Sequence, residues 1–381
     1  MPFSSLGLSQ SLLDALAAQQ YTEAYPIQKE AIPVILEGKD LLALAPTGSG
    51  KTASFVLPLL EKLKNRPQMP NRHIWALVLV PTRELAVQID EVFKQLASKM
   101  PNRPKTMAVY GGVSINPQMI KMRGVEIVVA TPGRLLDLIE KKAVNLNELE
   151  VLVLDEADKI LNMGFRDELE RIFSMLPARR QNLLFSATLG EDVQKVMGNM
   201  LKDPVKVEIK GEEGLAPASI TQVAYHTEPE RKGPLLRHLI RESNMWMVLV
   251  FVSSVRTADN VAEKLRKNGI EAMAFHSKKS QGGRMEALRR FKMGQIRVLV
   301  ATDLAARGID IQSLPVVFNY ELPRSPKDYV HRIGRTGRAE QEGKAISIIC
   351  PDDIHHFKVI QKKMGHRVPM IWTNELDLHG A

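Results

Sequence analysis

Ala45-Pro46-Thr47-Gly48-Ser49-Gly50-Lys51-Thr52 follows the apolar run Leu41-Leu42-Ala43-Leu44, and Asp155-Glu156-Ala157-Asp158 follows a second run, Val151-Leu152-Val153-Leu154. Each segment alone has an ordinary reading, a strand-to-helix turn in the first case and a solvated helix start in the second. Together, each at the end of a buried-strand pattern, they supply both halves of a nucleoside-triphosphate site. Glycines allow a tight loop whose backbone N–H groups wrap phosphates, and Lys51 and Thr52 open the next helix. Thr47, Gly48, Ser49 and Gly50 are expected to form the cradle, Lys51 to hold the β- and γ-phosphates, and Thr52 to ligate Mg²⁺. A carboxylate at the C-terminal end of a parallel strand is where a Mg²⁺-binding acid belongs, which selects Asp155. Glu156 is then the water-activating base.

Working outward, short apolar runs alternate with amphipathic stretches at 41–44, 76–80, 106–110, 127–130, 151–154 and 182–185. Strands alternating with helices imply a parallel sheet covered on both faces. Residues 209–219 are rich in Gly, Pro and charge without a period, a boundary signal. The alternation resumes at 221–226, 247–251, 272–275, 297–301, 316–320 and 345–349. The expected fold is α/β: a first domain at 1–208, a linker at 209–219 and a second domain at 220–381, each a mostly parallel sheet with helices on both faces. Only the first has a Gly-rich Lys-Thr loop.

A chain of 381 residues can bury two such cores. Its formal charge of +9 is uneven: residues 1–210 hold 26 Lys and Arg against 24 Asp and Glu, whereas residues 211–381 hold 26 against 19. That excess favours a polyanionic partner. Cys350 is the only cysteine, which excludes an intramolecular disulfide and a cysteine-cluster metal site and fits a reducing cytoplasm. The N-terminus lacks a basic region followed by an apolar core, and no stretch approaches the roughly 20 apolar residues of a membrane span. A soluble cytoplasmic protein with no membrane contact is expected.

In the second half, His331-Arg332-Ile333-Gly334-Arg335-Thr336-Gly337-Arg338 carries arginines spaced by glycines. A solvated basic helix end is the plain reading. Beside a domain without a phosphate loop, Arg335 and Arg338 suit a sharper one, guanidinium groups that reach the γ-phosphate across a cleft and accelerate its transfer by about 10³ to 10⁵.

Taken together these segments resemble the DEAD-box ATP-dependent RNA helicases of helicase superfamily 2, in the minimal bacterial RhlE-like form, in family order from Phe3 to about residue 360. The resemblance implies two RecA-like domains and makes Glu156 the catalytic base and Asp155 the Mg²⁺ ligand. It implies that Ser186-Ala187-Thr188 couples hydrolysis to RNA separation, with Asp158 as hydrogen-bond partner and His331 in the same coupling role. Gly308 and Asp310 would face the nucleotide. Gln28 would read adenine and Phe3 would stack on the ring. The segment Gln20 to Gln28 departs from the family pattern Gly-aromatic-x-x-Pro-Thr-x-x-Gln, with Tyr25 where a hydroxyl residue braces the phosphate loop.

An RNA track follows from both physics and resemblance. Pro81-Thr82-Arg83 and Thr131-Pro132-Gly133-Arg134 follow apolar strands and read as helix starts, whose free N–H groups and positive dipole ends hold successive phosphates. Gly111-Gly112 would let backbone approach the strand. By resemblance Phe251, Ser253, Gln281, Arg284, Thr302 and Asp303 complete the track, with Gly283 where an acid is common. The implied activity is RNA-stimulated ATP hydrolysis with Mg²⁺, with the backbone of single-stranded or short duplex RNA bound in an interdomain cleft, short duplexes opened locally and little sequence preference, by a monomer. Two other classes share features. A DNA translocase is disfavoured by the Asp-Glu-Ala-Asp tetrad with the Gln28 segment, and a non-enzymatic RNA clamp by intact Glu156, Arg335 and Arg338.

Overall fold

The computed structural model describes residues 2–46, 48–64, 66, 72–209, 220–306, 314–337 and 343–378. The chain divides into two compact units, Met1–Gly211 and Glu212–Ala381. The inferred linker at 210–219 lies outside the described residues, as do the calls at Thr47, Gly308, Asp310 and Arg338.

The first unit holds strands β1 (Leu41–Leu44), β2 (Ala76–Leu79), β3 (Thr106–Val109), β4 (Ile127–Ala130), β5 (Val151–Leu154), β6 (Gln181–Ser186) and β7 (Val205–Glu208). They pair, all parallel, in the order β3-β4-β2-β5-β6-β1-β7. Every residue of β1, β2, β4, β5 and β6 is buried, as continuous apolar runs covered on both faces require. Side chains alternate between the faces. Leu41 and Ala43 join one core layer with Phe55 and Phe185, while Leu42 and Leu44 join the other with Leu152 and Leu154.

The second unit repeats the plan with β8 (Ile220–His226), β9 (Val248–Val252), β10 (Ala272–Phe275), β11 (Val298–Thr302), β12 (Val316–Asn319), β13 (Gly343–Ile349) and β14 (Met370–Trp372). Their parallel order is β10-β11-β9-β12-β13-β8-β14. Val248, Val250 and Val252 face one layer, Leu249 and Phe251 the other. The strands β7 and β14 have no counterpart in the sequence reading. Both are edge strands, and Val205-Lys206-Val207-Glu208 is half exposed, so its pattern is too short and too polar to register.

Candidate functional site

Strand order decides which loops meet. Along the C-terminal edge of the first sheet, the loops after β3, β4 and β2 carry Gly111-Gly112, Thr131–Arg134 and Pro81–Arg83. Next come Asp155–Asp158 after β5, Ser186–Thr188 after β6 and the phosphate loop after β1. Segments scattered over 150 positions thus form one continuous row, with the helix N-termini at one end and the phosphate loop near the other.

In the phosphate loop Gly48 and Gly50 have φ of 85° and 90°, the left-handed region glycine adopts without strain. A Cβ on Gly50 would lie 2.5 Å from the Gln28 amide nitrogen and 3.0 Å from the Tyr25 ring. Gly50 caps the helix Lys51–Leu63. The Lys51 Nζ donates to the carbonyls of Ala45 at 2.7 Å and Pro46 at 3.1 Å. Burial holds its ammonium below the ordinary lysine range, while the carboxylates of Asp155 and Glu156 pull it back up. Ser49 Oγ is buried with no hydrogen-bond partner among the described residues.

Asp155 is 2% exposed. Burial first, and then the Glu156 charge, push its carboxyl up to about 7 against the pull of Lys51. Its Oδ1 accepts from the Glu156 N–H at 2.9 Å. Glu156 sits at φ 53° and ψ 46°, a left-handed conformation uncommon for a residue with a side chain and a mark of stored strain. Lys159 Nζ donates to its Oε1 at 2.6 Å, and its Oε2 is buried without a partner among the described residues. Lys159 was not anticipated, although an i,i+3 spacing on a helix start signals such a pair. Hard oxygen donors beside an unsatisfied carboxylate suit Mg²⁺, and Thr52 and Asp155 would hold it. No group of three His, Cys, Asp or Glu that could cage a metal occurs among the described residues, which fits an ion shared with substrate phosphates.

The raised Asp155 carboxyl has a thermodynamic consequence. Folded protein holds a proton there that the unfolded chain releases near pH 4, so between pH 4 and 7 stability falls as pH rises, and above 7 the loss is complete. Asp155→Asn, which removes the charge, is expected to melt about 2 °C or more above the parent at pH 8 without metal or nucleotide, the gap closing toward pH 4. A scanning melt at both pH values checks it, and equal midpoints at pH 8 would sink it.

Gln28 is fully buried. Its Oε1 accepts from the Tyr25 N–H at 2.9 Å and its Nε2 donates to the Gly50 carbonyl at 3.1 Å. The side chain therefore ties the start of the helix Pro26–Leu36 to the phosphate loop, and the Tyr25 ring packs on the same glycine in place of a bracing hydroxyl. In this arrangement both ends of the amide are engaged. Phe3 is 4% exposed in the core, edge-on to Tyr21 at 6.5 Å.

Thr188 Oγ1 donates to Asp158 Oδ2 at 3.2 Å, and Ser186 Oγ to the Thr188 carbonyl at 2.8 Å, so the two segments expected to communicate touch. Thr82 caps the helix Arg83–Leu96 by accepting from the Leu85 N–H, and Thr131 caps Pro132–Glu140 through backbone geometry alone. Gly112 has φ 76°, and the Arg83 guanidinium occupies the space its Cβ would need. Arg134 is buried, donating to the Val113 carbonyl at 2.8 Å and to Asp137 at 3.2 Å, with Nη1 unpartnered among the described residues. Both arginines brace the 111–113 loop as well as adding charge.

In the second unit the loops after β10, β11, β9 and β12 are likewise adjacent. Ser253 donates through N–H and Oγ to Glu321 Oε2 at 2.6 and 2.5 Å. Phe251 is 2% exposed and lies under the Arg332 guanidinium at 5.0 Å, so it can offer only backbone. Both amide atoms of buried Gln281 lack a partner among the described residues, and Arg284 sits over Phe275 at 5.2 Å. Thr302 ends β11, buried; Asp303 gives both carboxylate oxygens to Arg332 at 2.6 Å. His331 is exposed on the helix Pro326–Ile333, and Arg335 is buried with Nη2 donating to the Ala306 carbonyl at 3.3 Å. Arg332 escaped the sequence reading, although Tyr329, Arg332 and Ile333 share the buried helix face expected from their i, i+3, i+4 spacing.

Two parallel sheets, with a phosphate loop and an Asp-Glu pair at the end of neighbouring first-sheet strands, define a RecA-like ATP-hydrolysing enzyme. The family models DEAD/DEAH box helicase and Helicase conserved C-terminal domain match residues 25–196 and 231–340. The chain is 39% identical over 367 residues to the ATP-dependent RNA helicase CshA of Listeria monocytogenes, covering 96% of this chain and 69% of that one. It is 39% identical over 376 residues to the Bacillus subtilis DEAD-box ATP-dependent RNA helicase CshA, covering 98% and 75%. Among solved structures it resembles S. cerevisiae Dbp5 bound to RNA and ADP BeF3, with TM-score 0.85 and 29% identity over 100% and 97% of the two chains. A DEAD box protein from Methanococcus jannaschii matches at TM-score 0.56 and 36% identity, over 97% and 99%. The chain belongs to the DEAD-box ATP-dependent RNA helicases.

Proposed function

We propose that the protein hydrolyses ATP in response to RNA and uses the cycle to open short duplexes locally. The single observation that carries this is the strand order of the first sheet, which sets helix N-termini suited to phosphodiesters beside Asp155, Glu156 and the phosphate loop. Gly48 to Thr52 bind the triphosphate, Lys51 leaving the Ala45 and Pro46 carbonyls for its oxygens. Mg²⁺, held by Thr52 and Asp155, supplies charge neutralisation between the β- and γ-phosphates. Glu156 takes a proton from the attacking water at Oε2, the oxygen Lys159 does not claim. Gln28 reads adenine by exchanging its Gly50 contact for the base edge.

The second unit contributes Arg335 and Arg338, with Gly308 and Asp310, when a domain at 1–208 and one at 220–381 close on the nucleotide through the linker at 209–219. RNA backbone then lies along Thr82, Arg83, Gly112, Thr131 and Gly133, and along Ser253, Gln281, Arg284 and Thr302. Asp158 and Thr188, with His331, relay closure. A monomer in a reducing cytoplasm fits the lone Cys350, and no helix among the described residues is long and apolar enough to cross a membrane. The short core is the feature behind an RhlE-like subtype.

Contacts to backbone alone predict strong salt dependence and weak sequence preference. The test is steady-state ATPase at fixed low salt without nucleic acid, with single-stranded RNA and with the same sequence as DNA. RNA is expected to stimulate turnover about tenfold or more, the order of effect gained by completing a phosphoryl-transfer site, and DNA little. Equal stimulation by DNA would transfer the reading to a DNA translocase, and none by either to a binding clamp.

A further inference from the structure

The second sheet's N-terminal edge, opposite its row of functional loops, carries an exposed aromatic set among arginines. Trp246 is 52% exposed, just before β9. It is held out by a turn in which Asn244 and Met247 both take positive φ, 42° and 53°, a conformation a methionine adopts only under strain. Arg297, just before the adjacent strand β11, lies over the indole at 5.4 Å. That guanidinium is fixed by the carbonyls of Met245 and Ile240, the latter at 2.6 Å. Arg241 stands close enough that its charge, after burial, depresses the pKa of both Arg297 and Arg237. Glu242, the adjacent acid, is turned to His238 at 3.1 Å. A rigid indole ringed by three guanidiniums that repel one another is short of anions.

We infer that Trp246, Arg297, Arg241 and Arg237 form a second binding surface for single-stranded RNA, a base stacking on the indole and the flanking phosphates meeting the arginines. Stacking platforms beside cationic tracks hold single strands in this way without reading sequence. The five residues of β9 separate Trp246 from Ser253 by roughly 15 Å, at about 3.3 Å per residue, so the surface is distinct from the loops at the other edge. It rests on RNA being the substrate, and it takes RNA that extends beyond those loops.

The test is the affinity of the full chain, with a non-hydrolysable ATP analogue, for single-stranded RNAs of about 8 and about 30 nucleotides, the shorter within one site. Trp246→Ala is expected to weaken the longer RNA about five- to tenfold, the worth of one stacked base, and the shorter less than twofold. Trp246→Phe should retain most of the longer-RNA affinity. Trp372→Ala, which removes an exposed tryptophan stacked on His226, should change neither. Saturated ATPase turnover should be unchanged throughout. Undiminished binding of the longer RNA by Trp246→Ala overturns the inference, as does an equal loss at both lengths. Equal binding of polyglutamate, lost in the same variant, would give the surface to an acidic protein. Failure of the wild type to bind either RNA would instead defeat the proposed function itself.

Discussion

Glu156→Gln is expected to lower ATP turnover by about 10² to 10⁴, the range a positioned general base supplies, while nucleotide and RNA binding change less than about twofold. The geometry separates the two effects. Glu156 Oε1 is occupied by Lys159 at 2.6 Å, so the side chain is anchored through one oxygen and free to act through the other. Glutamine has the same shape and can keep its Oε1 toward Lys159, so the site should stay assembled around ATP. What it lacks is a second oxygen able to take a proton. The backbone at φ 53° is retained, because the strain belongs to the turn between β5 and the helix Ala157–Asn162 and not to the carboxylate. Single-turnover hydrolysis, with a fluorescent nucleotide to measure binding, checks both halves. Turnover within threefold of wild type would remove Glu156 from the chemistry, and a large loss of nucleotide binding would make it structural.

The phosphate loop and Asp155 were legible because both end uninterrupted apolar runs, and a run buried on both faces is hard to mistake when glycine or acid punctuates it. The row of loops was legible only as separate segments. Their adjacency depends on β2 pairing with both β4 and β5, a long-range choice that no local pattern records. Gln28 shows the same limit. Its identity could be read, but its hold on the Gly50 carbonyl joins positions 22 apart and belongs to this conformation. The left-handed turn at Glu156 left no mark, since nothing beside a glutamate announces positive φ. Arg332 was hidden by its neighbours: an octad rich in arginine and glycine was read as one phosphate-facing segment. Helical phase divides it, turning Arg332 inward with Tyr329 while His331 faces solvent.

That inward turn makes Arg332→Met the most damaging single change expected in the second unit. The guanidinium is 2% exposed and donates to Asp303 Oδ1 and Oδ2, each at 2.6 Å, to Asn319 Oδ1 at 3.2 Å and to the Glu321 carbonyl at 2.6 Å. It thereby joins the loops after β11 and β12, and through Phe251 it covers the end of β9. Methionine fills much of the volume but leaves the Asp303 carboxylate and the Asn319 oxygen without their donor. Removing one partner of a buried ion pair costs about 3 to 5 kcal/mol, and partial exposure of Asp303 places this case near 3. For a unit of this size that is a fall of roughly 6 to 12 °C in melting temperature. Lysine should rescue little, since one ammonium cannot reproduce a two-pronged grip on a carboxylate. Asp303→Asn in the Arg332→Met background should cost less than in the wild type, because the charge that loses its partner is already gone. Melts of the four proteins complete the cycle. Additive losses, or a single variant within 2 °C of wild type, would show that the pair does not hold these loops together, and Asp303 would then be available to the RNA face.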